Sequence, residues 1–363
     1  MKKILLIATL LYACGTQAQN LIALEHNGTQ TFHEFLDSAM YYAADGDYIY
    51  LSGGLIKFNF TPNDFIIDKA VNIVGVGYHP DSTIALGATK INKAIIVINT
   101  ASGGSLEGIS IPGGYSMVFG NSSTNSNVKN YLVKRCYIEQ FITIGFYSYV
   151  QSSNIHILEC ILHNGGIISY NNAVNVSIEK SVIESSVSGY GFNGVFWEGV
   201  IFKNNIFINN NRGGDIINTI RNATFENNIF YYNPTKYNLT SGLYNCYFTH
   251  NIFVYDSAYI PLYSVGNSNT FSNNFYNISL SSIFQKTPST TGFTFNDNYH
   301  LKSSCVGVGA GSDGKDIGIY GTSLPFKDGG TPANPHIVSK SIDTQTDASG
   351  KLPIKIKVKA QNH

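Results

Sequence analysis

Phe202-Lys203-Asn204-Asn205-Ile206-Phe207, Phe225-Glu226-Asn227-Asn228-Ile229-Phe230, Phe248-Thr249-His250-Asn251-Ile252-Phe253 and Phe271-Ser272-Asn273-Asn274-Phe275-Tyr276 are four copies of one stretch. From Asn205 to Asn228, Asn251 and Asn274 the step is 23 residues each time, and a fixed period of that length marks a solenoid. With the second Asn of each copy as position zero, the register extends back to Ser181, Cys160 and Cys136 and forward to Asn298. Three residues before zero stand Val133, Ile157, Ile178, Phe202, Phe225, Phe248, Phe271 and Phe295. One residue after stand Tyr137, Ile161, Val182, Ile206, Ile229, Ile252, Phe275 and Tyr299. Both columns are apolar throughout.

Five residues before zero stand Tyr131, Ile155, Val176, Val200, Ala223, Cys246, Asn269 and Phe293, so apolar residues alternate with polar ones over a short run, which is the period of a strand and not of a helix. Parallel strands of successive coils stack about 4.8 Å apart, so each column becomes a ladder of like residues and the inward columns form one core. Asn at position zero suits a tight turn, since it tolerates a left-handed backbone and its amide can bond to the Asn above and below. The repeat, covering about residues 48 to 320, argues for one elongated all-β body.

Only 13% of the residues are charged and the formal net charge is zero, so there is no basic footprint for nucleic acid. Lys2-Lys3, the apolar run Ile4 to Ala13 and Thr16-Gln17-Ala18 read as a signal peptide spanning 1–18, cleaved before Gln19. Leu11-Tyr12-Ala13-Cys14 also resembles a bacterial lipoprotein box. The chain is therefore expected to be secreted or held at the cell surface, with Cys14 as a lipidation candidate. No second apolar run has the length of a membrane span. Cys136 and Cys160 share the zero column, and stacked buried thiols are expected there in preference to a disulfide.

Thr31 to Ala44 reads as an amphipathic helix lying across the open end of the solenoid, with Phe32, Phe35, Leu36, Ala39, Met40 and Ala43 on one face. The body including this cap is placed at 19–324. Residues 325–363 read as a linker and the strictly alternating strand Ile354 to Lys359, expected to cap the solenoid by packing along it or covering its last coil.

The Phe-x-x-Asn-Ile-Phe copies, the helix before Gly46-Asp47-Tyr48-Ile49-Tyr50-Leu51 and the closing Asp316-Ile317-Gly318 resemble the right-handed parallel β-helix of the pectin-lyase-like superfamily. The leader, the Asn-rich coils and the tail from Pro335 are similar to exported β-helix proteins of the Bacteroidetes type. The resemblance implies a substrate face on the outside of one strand and its flanking loops: Gly194 to Trp197, Asp215 to Ile220, Gly242 to Tyr244 and Tyr259 to Tyr263. It does not bring that superfamily's reactive motifs: Asp-Asp, Gly-His-Gly, Arg-x-Lys, Trp-Ile-Asp-His and Arg-x-Pro-x-x-Arg are all absent.

Glu198, Arg221 and Tyr244 each stand seven residues before a zero position and fall in one column, where Glu198 and Arg221 on neighbouring coils can form an ion pair, with Trp197, Arg212 and Asp215 beside it. Trp197 and Tyr244 offer stacking faces for pyranose rings, and Arg212 or Arg221 a partner for a carboxylate or sulfate. This reads as an extracellular polysaccharide site on a chain expected to act as a monomer without a cofactor. In the rival reading, a polysaccharide lyase, Arg221 abstracts the proton alpha to a uronate carboxylate and Glu198 with Asp215 holds Ca²⁺. A third reading makes the solenoid a structural or protein-interaction rod, its charges forming surface ladders like Glu179, Lys203 and Glu226 two residues before zero. No GxSxG, HExxH, P-loop or CxxC occurs, and Asp313 and Asp316 read as a turn.

Overall fold

The computed structural model describes residues 21–359 except 61–63, 82–86, 121–126, 146–151, 170–172, 185–191, 195–196, 210–216, 233–239, 255–267, 290–291, 333–335 and 344. The chain folds as a parallel β-solenoid. The strands of each coil go in turn to three sheets, and each strand pairs in parallel with its counterpart one coil away. In one coil these strands are Ile201–Lys203, Ile206–Asn209 and Ile217–Arg221, in the first, second and third sheets.

The 23-residue step translates into vertical superposition. Phe202, Phe225, Phe248 and Phe271 stack with ring centroids 4.7, 4.4 and 4.9 Å apart. A second stack, Phe207, Phe230 and Phe253, stands beside it with spacings of 4.5 and 4.8 Å. Both lie in the tube core with the column five before zero, from Tyr131 to Cys246. Cys136 and Cys160 are free buried thiols, and burial pushes the Cys136 thiol well up.

The two jobs expected of position zero belong to two neighbouring residues. The left-handed backbone sits one residue earlier, at Arg135, Glu159, Lys180, Asn204, Asn227, His250 and Asn273. The zero residue instead turns its amide inward. Asn205, Asn228 and Asn251 are wholly buried. The Asn228 Oδ1 accepts from the Asn205 backbone N–H at 2.8 Å, and the Asn228 Nδ2 donates to the Phe202 carbonyl at 2.9 Å and to the Asn251 Oδ1 at 3.0 Å. Ser181 continues the ladder with its hydroxyl, accepting from Cys160 N–H at 3.0 Å.

One apolar column leaves the tube core. Ile161, Val182, Ile206, Ile229 and Ile252 face outward from the second sheet into a second core, closed by Ile283, Phe284, Tyr299, Ile317, Ile319 and Phe326. The register therefore does not run on to Asn298 as a further coil. After Ser272 the chain forms a short helix, Leu280–Ile283, and residues 293–332 cover the outside of the second sheet. Phe293 and Phe295 lie against Tyr137, at 6.3 and 5.3 Å between centroids, burying aromatic area there in place of a place in the stack.

The column one before zero grips this return segment. Asn227 Nδ2 donates to Ser312 Oγ at 3.1 Å, Asn204 Nδ2 to Gly318 O at 3.0 Å, Lys180 Nζ to Leu324 O at 2.7 Å and Arg135 Nη1 to Thr331 O at 3.2 Å. Gly318 has φ +98°, a backbone conformation that favours glycine, and it packs against the Ile229 side chain.

Lys203 and Glu226 pair at 3.0 Å in the alternating ladder, and the Ser312 hydroxyl also donates to Glu226. Burial alone would raise the Glu226 pKa, but the Ser312 hydroxyl and the Lys203 ammonium outweigh it and hold the carboxyl below its usual value. A depressed folded-state pKa contributes stability above the ordinary Glu range and loses it as pH falls through the depressed value. Amide exchange around Ser312 is therefore expected to quicken on acidification through that range, and Ser312→Ala to raise the Glu226 titration seen by NMR.

The N-terminal cap differs from the expected long helix. The helix is Leu36–Tyr42, and Thr29–His33 is a strand paired antiparallel with Ile22–His26, which also pairs antiparallel with Tyr48–Tyr50 at the sheet edge. Asn27 and Gly28, with φ 50° and 77°, make the hairpin turn, and this Asn-Gly pair decides against helix over Thr31 to His33. Phe32 is consequently 63% exposed, while Leu36, Ala39 and Met40 close the core. Ile354–Lys359 forms a strand, but it pairs antiparallel with His336–Ile342 in a two-stranded sheet of its own, and its Ile354 and Ile356 are exposed where a capping strand would bury them.

Candidate functional site

The corner between the third and first sheets carries the column seven before zero. Arg221 and Tyr244 are direct partners in the ladder of Ile217–Arg221 with Thr240–Tyr244. The Arg221 guanidinium lies 4.8 Å over the Tyr244 ring, and both side chains are exposed. The guanidinium and the ring are thereby held together at the surface of the corner.

The backbone of Trp197–Glu198 forms a strand that pairs with Ala173–Val174 and lies beside Ile217–Arg221. The side chains of Trp197 and Glu198 lie outside the described residues, as do Arg212 and Asp215 entirely. Of the six site residues read from the sequence, the structure thus brings together Arg221 and Tyr244. Phe192–Gly194, Ile217–Arg221 and Thr240–Tyr244 are three successive strands of the third sheet, and the expected face at 259–263 lies outside the described residues.

Sequence reasoning missed a second asparagine ladder one position further on. Asn130, Asn154, Asn175, Asn222 and Asn245 all have φ near 55°, making the corner turn. Their exposed amides link coil to coil: Asn154 Nδ2 to Asn130 Oδ1 at 2.8 Å, Asn175 Nδ2 to Asn154 Oδ1 at 3.3 Å and Asn245 Nδ2 to Asn222 Oδ1 at 2.7 Å. The signal was present as an Asn six residues before most zero positions. Lys129 belongs to the same strip, standing in the column of Arg221 through the pairing Lys129↔Ser153↔Val174↔Glu198. Tyr247, half exposed, begins the first-sheet strand on the other side of the corner.

The strip thus combines aromatic faces, a guanidinium, an ammonium and a row of amides at coil spacing. Among the described residues no group of three or more His, Cys, Asp or Glu is placed to hold a metal ion, and no helix is long and apolar enough to cross a membrane. Asp313 and Asp316 accept from backbone N–H groups of Lys315 and Gly309 within a turn.

These features define the class as a parallel β-solenoid with a polar, aromatic corner. No protein-family model matches the chain, and no curated protein matches it.

Proposed function

We propose that the chain is an exported β-solenoid that binds an acidic, uronate-containing extracellular polysaccharide along the corner carrying Arg221 and Tyr244. The observation that supports this most is the exposed guanidinium stacked on an exposed ring. Sugars present apolar C–H faces to aromatic rings, and a guanidinium holds a carboxylate with two parallel hydrogen bonds. The asparagine ladder adds amides at coil spacing, about 4.8 Å, in two runs, Asn130 to Asn175 and Asn222 to Asn245, interrupted at Gly199. Binding is favoured over lyase chemistry because a guanidinium remains cationic at physiological pH and holds anions better than it takes a proton.

Titration of the protein with polygalacturonate and other acidic polymers, beside neutral ones, tests the reading. Saturable binding of an acidic polymer is expected. Arg221→Ala should weaken it by about 10-fold or more, the range of one charge-assisted hydrogen bond, without altering the melting temperature. Equal binding by the wild type and Arg221→Ala would move the site elsewhere. Unsaturated products absorbing in the ultraviolet would instead make the protein a lyase.

A further inference from the structure

A cleft of about 290 Å³ opens between the return segment and the outer face of the second sheet. Its walls are aromatic: Tyr78, Phe295, Tyr299, Tyr320 and Phe326 all line it. Two carboxylates, Asp297 and Asp328, face it as well, and among its described lining residues there is no Lys or Arg, only His79 and His300. The site is far from the Arg221 corner in chemistry, since its fixed charges are negative.

The lining is held in place by its own hydrogen bonds. Asp328 accepts from the Tyr320 hydroxyl, and Asp297 accepts from the backbone N–H of Ser289 and Thr294 and from the Tyr299 hydroxyl. The His300 ring lies parallel to Tyr320 at 3.7 Å, with its Nδ1 2.9 Å from Asn298 Oδ1. Burial, joined by the bond to Asp328, pushes the Tyr320 phenol up, so this ring stays neutral and electron-rich. Aromatic faces attract cations through their quadrupole, and the attraction grows when the cation is partly desolvated in a cleft. Carboxylates beside the rings add to it and disfavour anions. The volume, at the lower end for ligand sites, has room for an ion of the size of choline.

We infer that this cleft binds a small organic ammonium ion, with its charge against the aromatic walls and beside Asp328. The acidic polymer proposed for the Arg221 corner is excluded from it by charge, so the two sites act independently.

Titrating the full chain with choline, and separately with its neutral isostere 3,3-dimethylbutan-1-ol, isolates the contribution of charge. Saturable choline binding with Kd on the order of 1 mM or tighter is expected. The alcohol should bind at least about 10-fold more weakly, as loss of a cation–π and ion-pair contact requires. Asp328 is exposed, so Asp328→Asn should keep the fold, checked by circular dichroism, yet weaken choline by about 10-fold. Arg221→Ala should leave choline binding unchanged. Equal affinity for the two isosteres, no saturation, or an Asp328→Asn variant that binds as the wild type does would overturn the assignment.

Discussion

Asn228→Ala is expected to destabilise the solenoid by about 3–5 kcal/mol, read as a lower urea midpoint. The substitution strips the Asn205 backbone N–H of its acceptor and the Phe202 carbonyl of the Nδ2 donor, both in a fully buried setting. The orphaned Asn205 N–H costs about 1–3 kcal/mol, and the lost bonds of the Asn205 Nδ2 and the Phe202 carbonyl and a small cavity add to the sum. Asn228→Asp should be worse than the size of the change suggests, since a carboxylate would turn an acceptor toward the Phe202 carbonyl and the Asn251 Oδ1. The contrast is Asn222→Gly in the exposed ladder, where water replaces the lost amide and glycine keeps the left-handed turn at φ 54°, so the change should stay within about 1 kcal/mol. Equal losses at Asn222 and Asn228 would mean that burial does not distinguish the two ladders.

Glu159→Ala is the second large effect, a loss of about 3 kcal/mol or more. Glu159 sits between Arg135, whose Nε donates at 2.8 Å, and Lys180, whose Nζ donates at 3.2 Å, and all three side chains are less than a tenth exposed. Removing the carboxylate leaves two buried cations facing each other, and breaking a buried pair from one side costs about 3–5 kcal/mol. Arg135 retains Glu107 at 3.3 Å, which places the loss toward the lower end. Because Arg135 and Lys180 also hold Thr331 and Leu324 of the return segment, hydrogen exchange should quicken first in residues 324–332. Loss of stability without that local loosening would show that the triad supports only the coil stack.

The tube was legible because like residues recur at equal steps: the Phe202, Phe225 and Phe248 column needed only the period to be placed in the core. The second core was less so. Ile206, Ile229 and Ile252 are as apolar as their inward neighbours Phe207, Phe230 and Phe253, so a strand buried on both faces gives no alternation to read. Similarly, Arg135, Glu159, Lys180, Asn204 and Asn227 form a column that looks solvated in the sequence. Their burial comes from a return segment more than 100 residues away for most of them, a contact that no local pattern encodes. Phe293, Phe295 and Tyr299 mimic a further copy of the repeat and satisfy the same need for burial on the outside. At the corner site, equal spacing placed Arg221 against Tyr244, whereas the exposed asparagine ladder was hidden in a chain with many asparagines.

The claim beneath all of this is that sequence spacing becomes height along one axis. Tyr48 and Ser272 are exposed on the first and last parallel strands of the first sheet, nine steps apart in the hydrogen-bonded order from Tyr48–Tyr50 to Thr270–Ser272. Spin labels at these two positions, measured by pulsed dipolar spectroscopy, should give a single narrow distance near about 40 Å, the height of that stack. A short distance, or a broad spread of distances, would contradict the stacking and with it the corner site built upon it.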